Sequence, residues 1–112
     1  MRPIPKGLRK RLSEDPFMAA CCIPDCLTPP EWEHSWTYAR KQINEGWAIV
    51  PMCMPHHRGS HQTFAWRGEE QRTKEFGQWV SLCRGIKDAI QDYPRRDWEQ
   101  EKRFLDSKFL HD

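Results

Sequence analysis

The chain has 112 residues, of which 38% are hydrophobic, and a formal net charge of +2 at pH 7. This length is typical of one domain with a modest core, and such small domains commonly recruit a metal ion or disulfides. No apolar run approaches the ~18 residues of a membrane span, and the N-terminus lacks the apolar stretch of a secretory signal. We therefore expect a cytoplasmic protein without a membrane segment.

The five cysteines of the chain favour metal ligation over disulfides, because the cytosol keeps thiols reduced. The first residues are basic, with Arg9, Lys10 and Arg11 in a segment that contains two X-Pro steps. We expect residues 1–16 to form a basic N-terminal arm that contacts phosphates. On charge alone, a solvated terminus is the simpler interpretation.

Residues 17–66 contain every candidate ligand. A partial alternation of aromatic residues predicts a short strand over 32–36, and apolar residues at helical spacing over 36–43 predict a helix that Gly46 ends. Residues 47–52 form an apolar run that predicts a short buried strand.

The second half of the chain is predicted to be helical. Pro55 suits the first turn of a short helix, where its missing N–H costs nothing. Apolar residues at intervals of three and four predict a longer helix over about 70–92. Pro94 breaks that helix and can open a last one.

Two short pairs of candidate metal ligands are separated by a longer loop. Three residues separate Cys22 from Cys26, and two separate Cys53 from His56. Short pairs suit chelation, and two such pairs are typical of a tetrahedral structural zinc site. Cys21 can replace Cys22, because either spacing to Cys26 is reachable, and the other cysteine is then a buried apolar side chain.

Four further residues exceed what one structural site needs. His57 and His61 are four apart and would share one face of a helix. With a carboxylate such as Glu33 they would form a three-ligand set with open positions, which is the form of a catalytic metal site. His34 would lie beside that metal, and an imidazole with a pKa near ~6.5 can act as a base at neutral pH.

The order and spacing of these elements resemble the HNH endonuclease family. The resemblance rests on Cys-x3-Cys, on Glu33-His34, and on the run IVPMCMPHHRGSH, which is similar to the P-L-C-x-x-H-H signature of phage and prophage members. It covers about residues 20–63, under half of the chain. It implies an α+β fold in which residues 17–66 form a small ββα-metal core with a zinc knuckle. Residues 67–112 would be a helical extension packed on that core.

The resemblance implies a role for each candidate residue. His34 would be the general base, and Glu33, His57 and His61 would bind a catalytic Mg²⁺, Mn²⁺ or other divalent ion. The knuckle residues would be Cys22, Cys26, Cys53 and His56, where many members have a fourth cysteine. Many members also carry an asparagine a few residues before the second knuckle pair. Ala48 has that spacing here, and Asn44 lies too early to match.

The activity that the resemblance implies is metal-dependent hydrolysis of DNA phosphodiester bonds, by nicking or cleavage, in phage-related DNA processing in a bacterial cytoplasm. The residues expected to contact the DNA backbone are Arg58, Arg40, Lys41, Arg9, Lys10 and Arg11. The alternative is a catalytically inactive, zinc-stapled module that binds nucleic acid or protein. A protein partner would then contact the C-terminal helices, with Trp79 and Trp98 on the contact face.

Overall fold

The computed structural model describes residues 4–110. Over that range the architecture is α+β, with three antiparallel pairs of short strands and four α-helices. In chain order the elements are α1 (Lys6–Ser13), β1 (Glu31–His34), β2 (Thr37–Tyr38), β3 (Lys41–Gln42), β4 (Ile49–Met52), α2 (Met54–His57), β5 (Thr63–Trp66), β6 (Glu69–Arg72), α3 (Thr73–Asp92) and α4 (Trp98–Phe109). None of these helices is long and apolar enough to cross a membrane.

The antiparallel pair of β1 and β4 carries the acidic and imidazole candidates. Glu33 lies opposite Val50 in this pair, and His34 lies opposite Ile49. Strand β4 is buried on both faces: Ile49 packs in a small cluster with residues of α1, while Val50 and Met52 belong to the main core. The predicted strand over 47–52 is thus confirmed for its last four residues, and Gly46–Ala48 form a 3-10 turn before it.

The predicted helix over 36–43 is wrong, because this segment forms the β2–β3 hairpin. Ala39 and Arg40 occupy its turn with φ of 50° and 66°, the positive values that tight two-residue hairpin turns require. The N–H of Ile43 donates to the carbonyl of Trp36 at 3.0 Å, and both side chains are buried. The apolar spacing that suggested a helix arises because these two residues flank a hairpin.

The basic N-terminal segment is not a free arm over its described part. Residues 1–3 lie outside the described range, and Lys6–Ser13 form α1. Leu8 and Leu12 of this helix are buried against Ile49 of β4. The basic side chains therefore project from a helix that is packed on the body of the protein.

Two C-terminal helices are present, as predicted, with different starting points. The longer helix, α3, begins at Thr73, because the residues before it pair as β5 and β6. Helix α4 begins after Asp97, whose carboxylate accepts a hydrogen bond from the N–H of Gln100 at 3.0 Å. The strand pair crosses the boundary that was expected after residue 66.

Aromatic side chains join the C-terminal helices to the β2–β3 hairpin and to the 3-10 turn before β4. The ring of Trp98 meets Trp36 and Trp47 edge to face, with centroids 5.2 and 5.8 Å apart, and Trp98 is 1% exposed. Trp79 is partly buried and donates to Asp106 at 2.9 Å. Both tryptophans proposed for a protein-contact face therefore pack within this molecule.

Helix α3 is kinked at Gly85, which has the non-helical angles φ −139° and ψ 25°. A Cβ atom at this position would lie 2.3 Å from both Cβ and Cγ of Trp47. Side chains do not approach so closely, so only glycine allows α3 to pack on the turn before β4.

We predict that Gly85→Ala lowers the free energy of unfolding by about 2–3 kcal/mol, because it overpacks a contact that the Trp47 ring cannot vacate. Gly7→Ala is the control: the nearest atom to its added Cβ is 3.9 Å away, and alanine favours the helix by up to about 1 kcal/mol. Urea unfolding monitored by tryptophan fluorescence measures both. Equal stability of Gly85→Ala and the parent would contradict the packing argument.

Candidate functional site

Four ligand atoms converge at the end of β4. Those of Cys21, Cys26, Cys53 and His56 all lie within 4.8 Å of one another. The His56 Nδ1 atom is 3.2 Å from Cys53 Sγ and 3.5 Å from Cys21 Sγ, and the Sγ atoms of Cys26 and Cys53 are 3.8 Å apart. Zn–S bonds of ~2.3 Å and Zn–N bonds of ~2.0 Å in a tetrahedron separate ligand atoms by about 3.5–3.8 Å. The cluster can therefore bind a metal ion such as zinc.

Cys21 occupies the position that the prediction assigned to Cys22. The backbone N–H of Cys22 donates to the carbonyl of Pro51 at 2.8 Å, and its thiol packs against the main core. The Cys22 thiol lies outside the group of ligand atoms. Burial raises the pKa of Cys22 to about 12, which keeps this thiol neutral at pH 7. Of the two cysteines that the sequence left open, the structure brings Cys21 to the metal ligands.

A second group forms around the face of β1 that carries Glu31 and Glu33. The Nδ1 atom of His57 donates to Glu31 Oε1 at 2.9 Å, and in the neutral imidazole Nε2 then carries the lone pair. That Nε2 lies 3.9 Å from Glu33 Oε1. A histidine that donates one ring N–H to a carboxylate and presents the other nitrogen is the usual arrangement of a metal-binding imidazole. Sequence reasoning missed Glu31, although its spacing of two from Glu33 on a strand places both on one face.

Arg58 holds Glu31 in place. Its Nε donates to Oε1 at 2.9 Å and its Nη2 to Oε2 at 2.6 Å. The pKa of Glu31 is lowered to about 2, mainly by the hydrogen bonds from Arg58 and to a smaller extent by His57. Glu31 therefore stays ionised at neutral pH and remains an acceptor for His57. The guanidinium that was expected to contact DNA is engaged here with a carboxylate.

Glu33 is buried, with 6% of its surface exposed, and its Oε2 atom has no hydrogen-bond partner among the described residues. Burial raises the pKa of Glu33, while His57 and Lys74 act in the opposite direction. A buried carboxylate oxygen without a partner is costly, and a bound cation removes that cost. Glu33 Oε2 is therefore a buried polar atom that the described residues leave unsatisfied, close to the free ring nitrogen of His57.

His61 is not part of this second group. Helix α2 ends at His57, and Arg58 adopts the non-helical angles φ −149° and ψ 10°. The expectation that His57 and His61 share a helix face is therefore wrong. The chain turns back so that the N–H of His61 donates to Pro55, and its ring centroid lies 6.4 Å from that of His56. His61 therefore lies on the side of α2 that faces the cysteine-histidine cluster.

His34 is held by Asn44. The Nε2 atom of His34 lies 2.6 Å from Asn44 Oδ1, and this amide oxygen only accepts, so Nε2 carries the proton. In the neutral imidazole the lone pair is then on Nδ1, which is buried and has no hydrogen-bond partner within residues 4–110. Asn44, which lies too early in the sequence to match the motif asparagine, is thus the residue that contacts the His34 ring. The 3-10 turn Gly46–Ala48 lies between Asn44 and β4.

The remaining basic candidates lie on two surfaces. Arg40 and Lys41 are exposed at the tip of the β2–β3 hairpin. Lys10 and Arg11 are exposed on α1, and the guanidinium of Arg9 lies 5.6 Å from the ring centroid of Trp32. Contact of these residues with nucleic acid therefore remains a prediction.

Comparison with known proteins identifies no relative: no family model, no curated protein and no solved structure matches the chain. Over residues 4–110, the cysteine-histidine cluster is the one group of three or more side chains that meets the distances of a metal site. Glu33 and His57 are a pair rather than the predicted set of three. The function must therefore be inferred from the contacts themselves.

We predict that Cys21→Ser loses the bound zinc and unfolds at a much lower temperature, because structural zinc contributes folding free energy directly. Cys22→Ser is the matched control and keeps one zinc per chain, since its thiol lies outside the cluster. Metal analysis of the purified variants and thermal unfolding measure the two effects. The reverse pattern would return Cys22 to the site in place of Cys21.

Proposed function

We propose that this chain is a metal-dependent endonuclease that hydrolyses DNA phosphodiester bonds. In this proposal β1, β4 and α2 are an HNH-type ββα core, and the cluster of Cys21, Cys26, Cys53 and His56 is its structural zinc knuckle. The observation that carries the proposal is the hydrogen bond from His34 to Asn44 next to the pair of Glu33 and His57. Zinc binding alone requires none of these four residues. The phage-related role rests on the sequence motif.

His34 is the general base of the proposed reaction. Asn44 fixes the ring and its tautomer, which leaves Nδ1 as the proton acceptor. An imidazole with one nitrogen held in this way can take a proton from a water molecule that attacks phosphorus. That nitrogen is buried and has no hydrogen-bond partner within the described residues, so the attacking water would reach it from the cavity that His34 lines.

Glu33 and His57 would hold the divalent cation. Mg²⁺ usually retains several waters and is bound by one or two protein groups together with substrate phosphate, so two ligands suffice. When bound, such an ion supplies stabilisation of the negative charge that develops on phosphate oxygens. Glu31 and Arg58 orient His57 from behind, so its Nε2 stays directed towards Glu33.

The knuckle contributes by position. His56 belongs to the cysteine cluster and His57 to the second group, and the two are neighbours in α2. A metal bound by His56 would therefore also fix where His57 lies. The geometry of the proposed divalent-cation site would therefore depend on the zinc cluster.

We predict that His34→Gln keeps its zinc and its fold but cleaves plasmid DNA about 10²–10⁴-fold more slowly with Mg²⁺ or Mn²⁺, as expected when a general base is lost. Agarose-gel assays of supercoiled plasmid, with and without added divalent ion, measure this rate. Cleavage at the parent rate would remove His34 from the reaction. A parent protein that binds DNA without cutting it would indicate the alternative, an inactive zinc-stapled binding module.

We also expect His57→Ala to lose at least ~10- to 100-fold in affinity for the activating ion, the range found even for residues that only support a ligand. His61→Ala is the matched control and should keep the parent's dependence, because His61 lies on the other side of α2. Titration of cleavage rate against Mn²⁺ concentration compares them, with zinc content checked in each. Equal effects would argue that Nε2 of His57 does not bind the ion.

A further inference from the structure

A cavity of about 210 Å³ opens beside His34. Its walls come from the end of β1, from the β2–β3 hairpin and from α3, and two basic side chains, Lys74 and Arg96, line it. The remaining lining residues are Ser35, Trp36, Thr37, Gln42 and Gln78. The roles proposed above for His34 and the metal ligands use neither of the two cations.

The charge of Arg96 is already balanced. Its Nε and Nη2 lie 2.8 and 2.6 Å from Glu101 Oε2. Its guanidinium also lies over the rings of Trp36 and Trp98, at 4.9 and 5.5 Å from their centroids. Arg96 therefore joins the start of α4 to the hairpin and has little capacity left for a ligand.

Lys74 is available in a way that Arg96 is not. Its Nζ lies 3.8 Å from Glu33 Oε1, which is longer than a hydrogen bond, and its side chain is 55% exposed. It therefore lies beside the proposed metal ligand and also lines the cavity that contains His34. An ammonium in this place can bind an anion that must contact both the metal ion and His34.

The first turns of α3 are fixed relative to the rest of the site. The hydroxyl of Thr73 donates to the carbonyl of His56 at 2.7 Å, so α3 starts on the knuckle. One turn beyond Lys74, Gln78 donates to the carbonyl of Ser35 at 3.1 Å. Gly77 permits this approach, because even an added Cβ would lie 3.0 Å from Met52. Lys74 thus lies on a helix that is fixed by hydrogen bonds to His56 and to Ser35, the residue after His34.

We infer that this cavity seats a phosphate group of the DNA backbone and that Lys74 binds one of its non-bridging oxygens. The inference rests on the proposed function and adds to it a substrate-binding residue from outside the segment that resembles HNH enzymes. A lysine ammonium suits this task because it is a compact positive charge with three donors. The phosphate would lie next to His34 on one side and Glu33 on the other.

The test compares Lys74→Gln with Lys87→Gln, which removes an equal charge from an exposed position on the same helix. Binding of a short fluorescein-labelled DNA duplex is measured by anisotropy between about 50 and 200 mM salt, with no Mg²⁺ or Mn²⁺ added. Lys74→Gln should bind about 3- to 10-fold more weakly, with a salt slope smaller by about one, as for the loss of one phosphate contact. Lys87→Gln should match the parent, and Lys74→Arg should retain most of the affinity.

Plasmid cleavage by the same proteins separates the two proposals. If the parent cuts DNA and Lys74→Gln binds with unchanged affinity and slope, the phosphate site is wrong and the endonuclease stands. If the parent binds through Lys74 but does not cut with any divalent ion, the phosphate site stands and the endonuclease fails. If Lys74→Gln and Lys87→Gln weaken binding equally, only net charge matters and the inference fails. Zinc content and thermal unfolding confirm that each variant is folded.

Discussion

The convergence of Cys21, Cys26, Cys53 and His56 is the constraint on which the candidate site depends. These side chains come from the loop before β1 and from the junction of β4 and α2, so they tie together segments that are far apart in the chain. Four thiol and imidazole groups at tetrahedral spacing gain little from one another without a cation. Bound metal would turn this cluster into a fixed point at the end of β4. Strand β1, which pairs with β4, then presents Glu31 and Glu33 next to that point.

The position of His57 follows from this fixed point. His56 and His57 are neighbours in α2 and therefore point in different directions, one to the cysteines and one to the glutamates. A longer helix would have carried His61 to the same side as His57, as the sequence suggested. Thr73 bonds the carbonyl of His56, so α3 also starts from this short helix. The metal cluster, the acidic strand and the helix with Lys74 thereby share one reference position.

Each of the two imidazoles of the site is oriented by one polar partner. Asn44 determines which nitrogen of His34 is free, and Glu31 does the same for His57. Glu33 is different, since one of its oxygens is buried without a hydrogen bond. Oriented imidazoles next to an incompletely satisfied carboxylate are expensive to maintain in a small domain. This expense is the physical reason to infer a reactive centre rather than only a zinc-stapled fold.

The sequence predicted those features that depend on short-range chemistry. The two ligand pairs, the buried strand β4 and both long C-terminal helices were recognisable, because spacing and apolar period act over a few residues. The hairpin at 36–43 was mistaken for a helix, since its turn residues, Ala39 and Arg40, carry no glycine or asparagine signal. The contact between Asn44 and His34 was not predicted either. Its distance along the chain from Cys53 includes a 3-10 turn that no motif spacing reveals.

By itself, therefore, the sequence determined which kinds of ligand and base this protein can offer and roughly where its strand and helices lie. Only the tertiary structure decided which members of that set meet. It brought Cys21 rather than Cys22 to the cluster and removed His61 from the acidic group. It also placed Asn44 beside His34, Glu31 beside His57, and Lys74 beside Glu33, from three separate segments. The physical reason is that ligand type is a property of single residues, whereas direction depends on strand register and helix length. Those are settled by packing between segments distant in the chain.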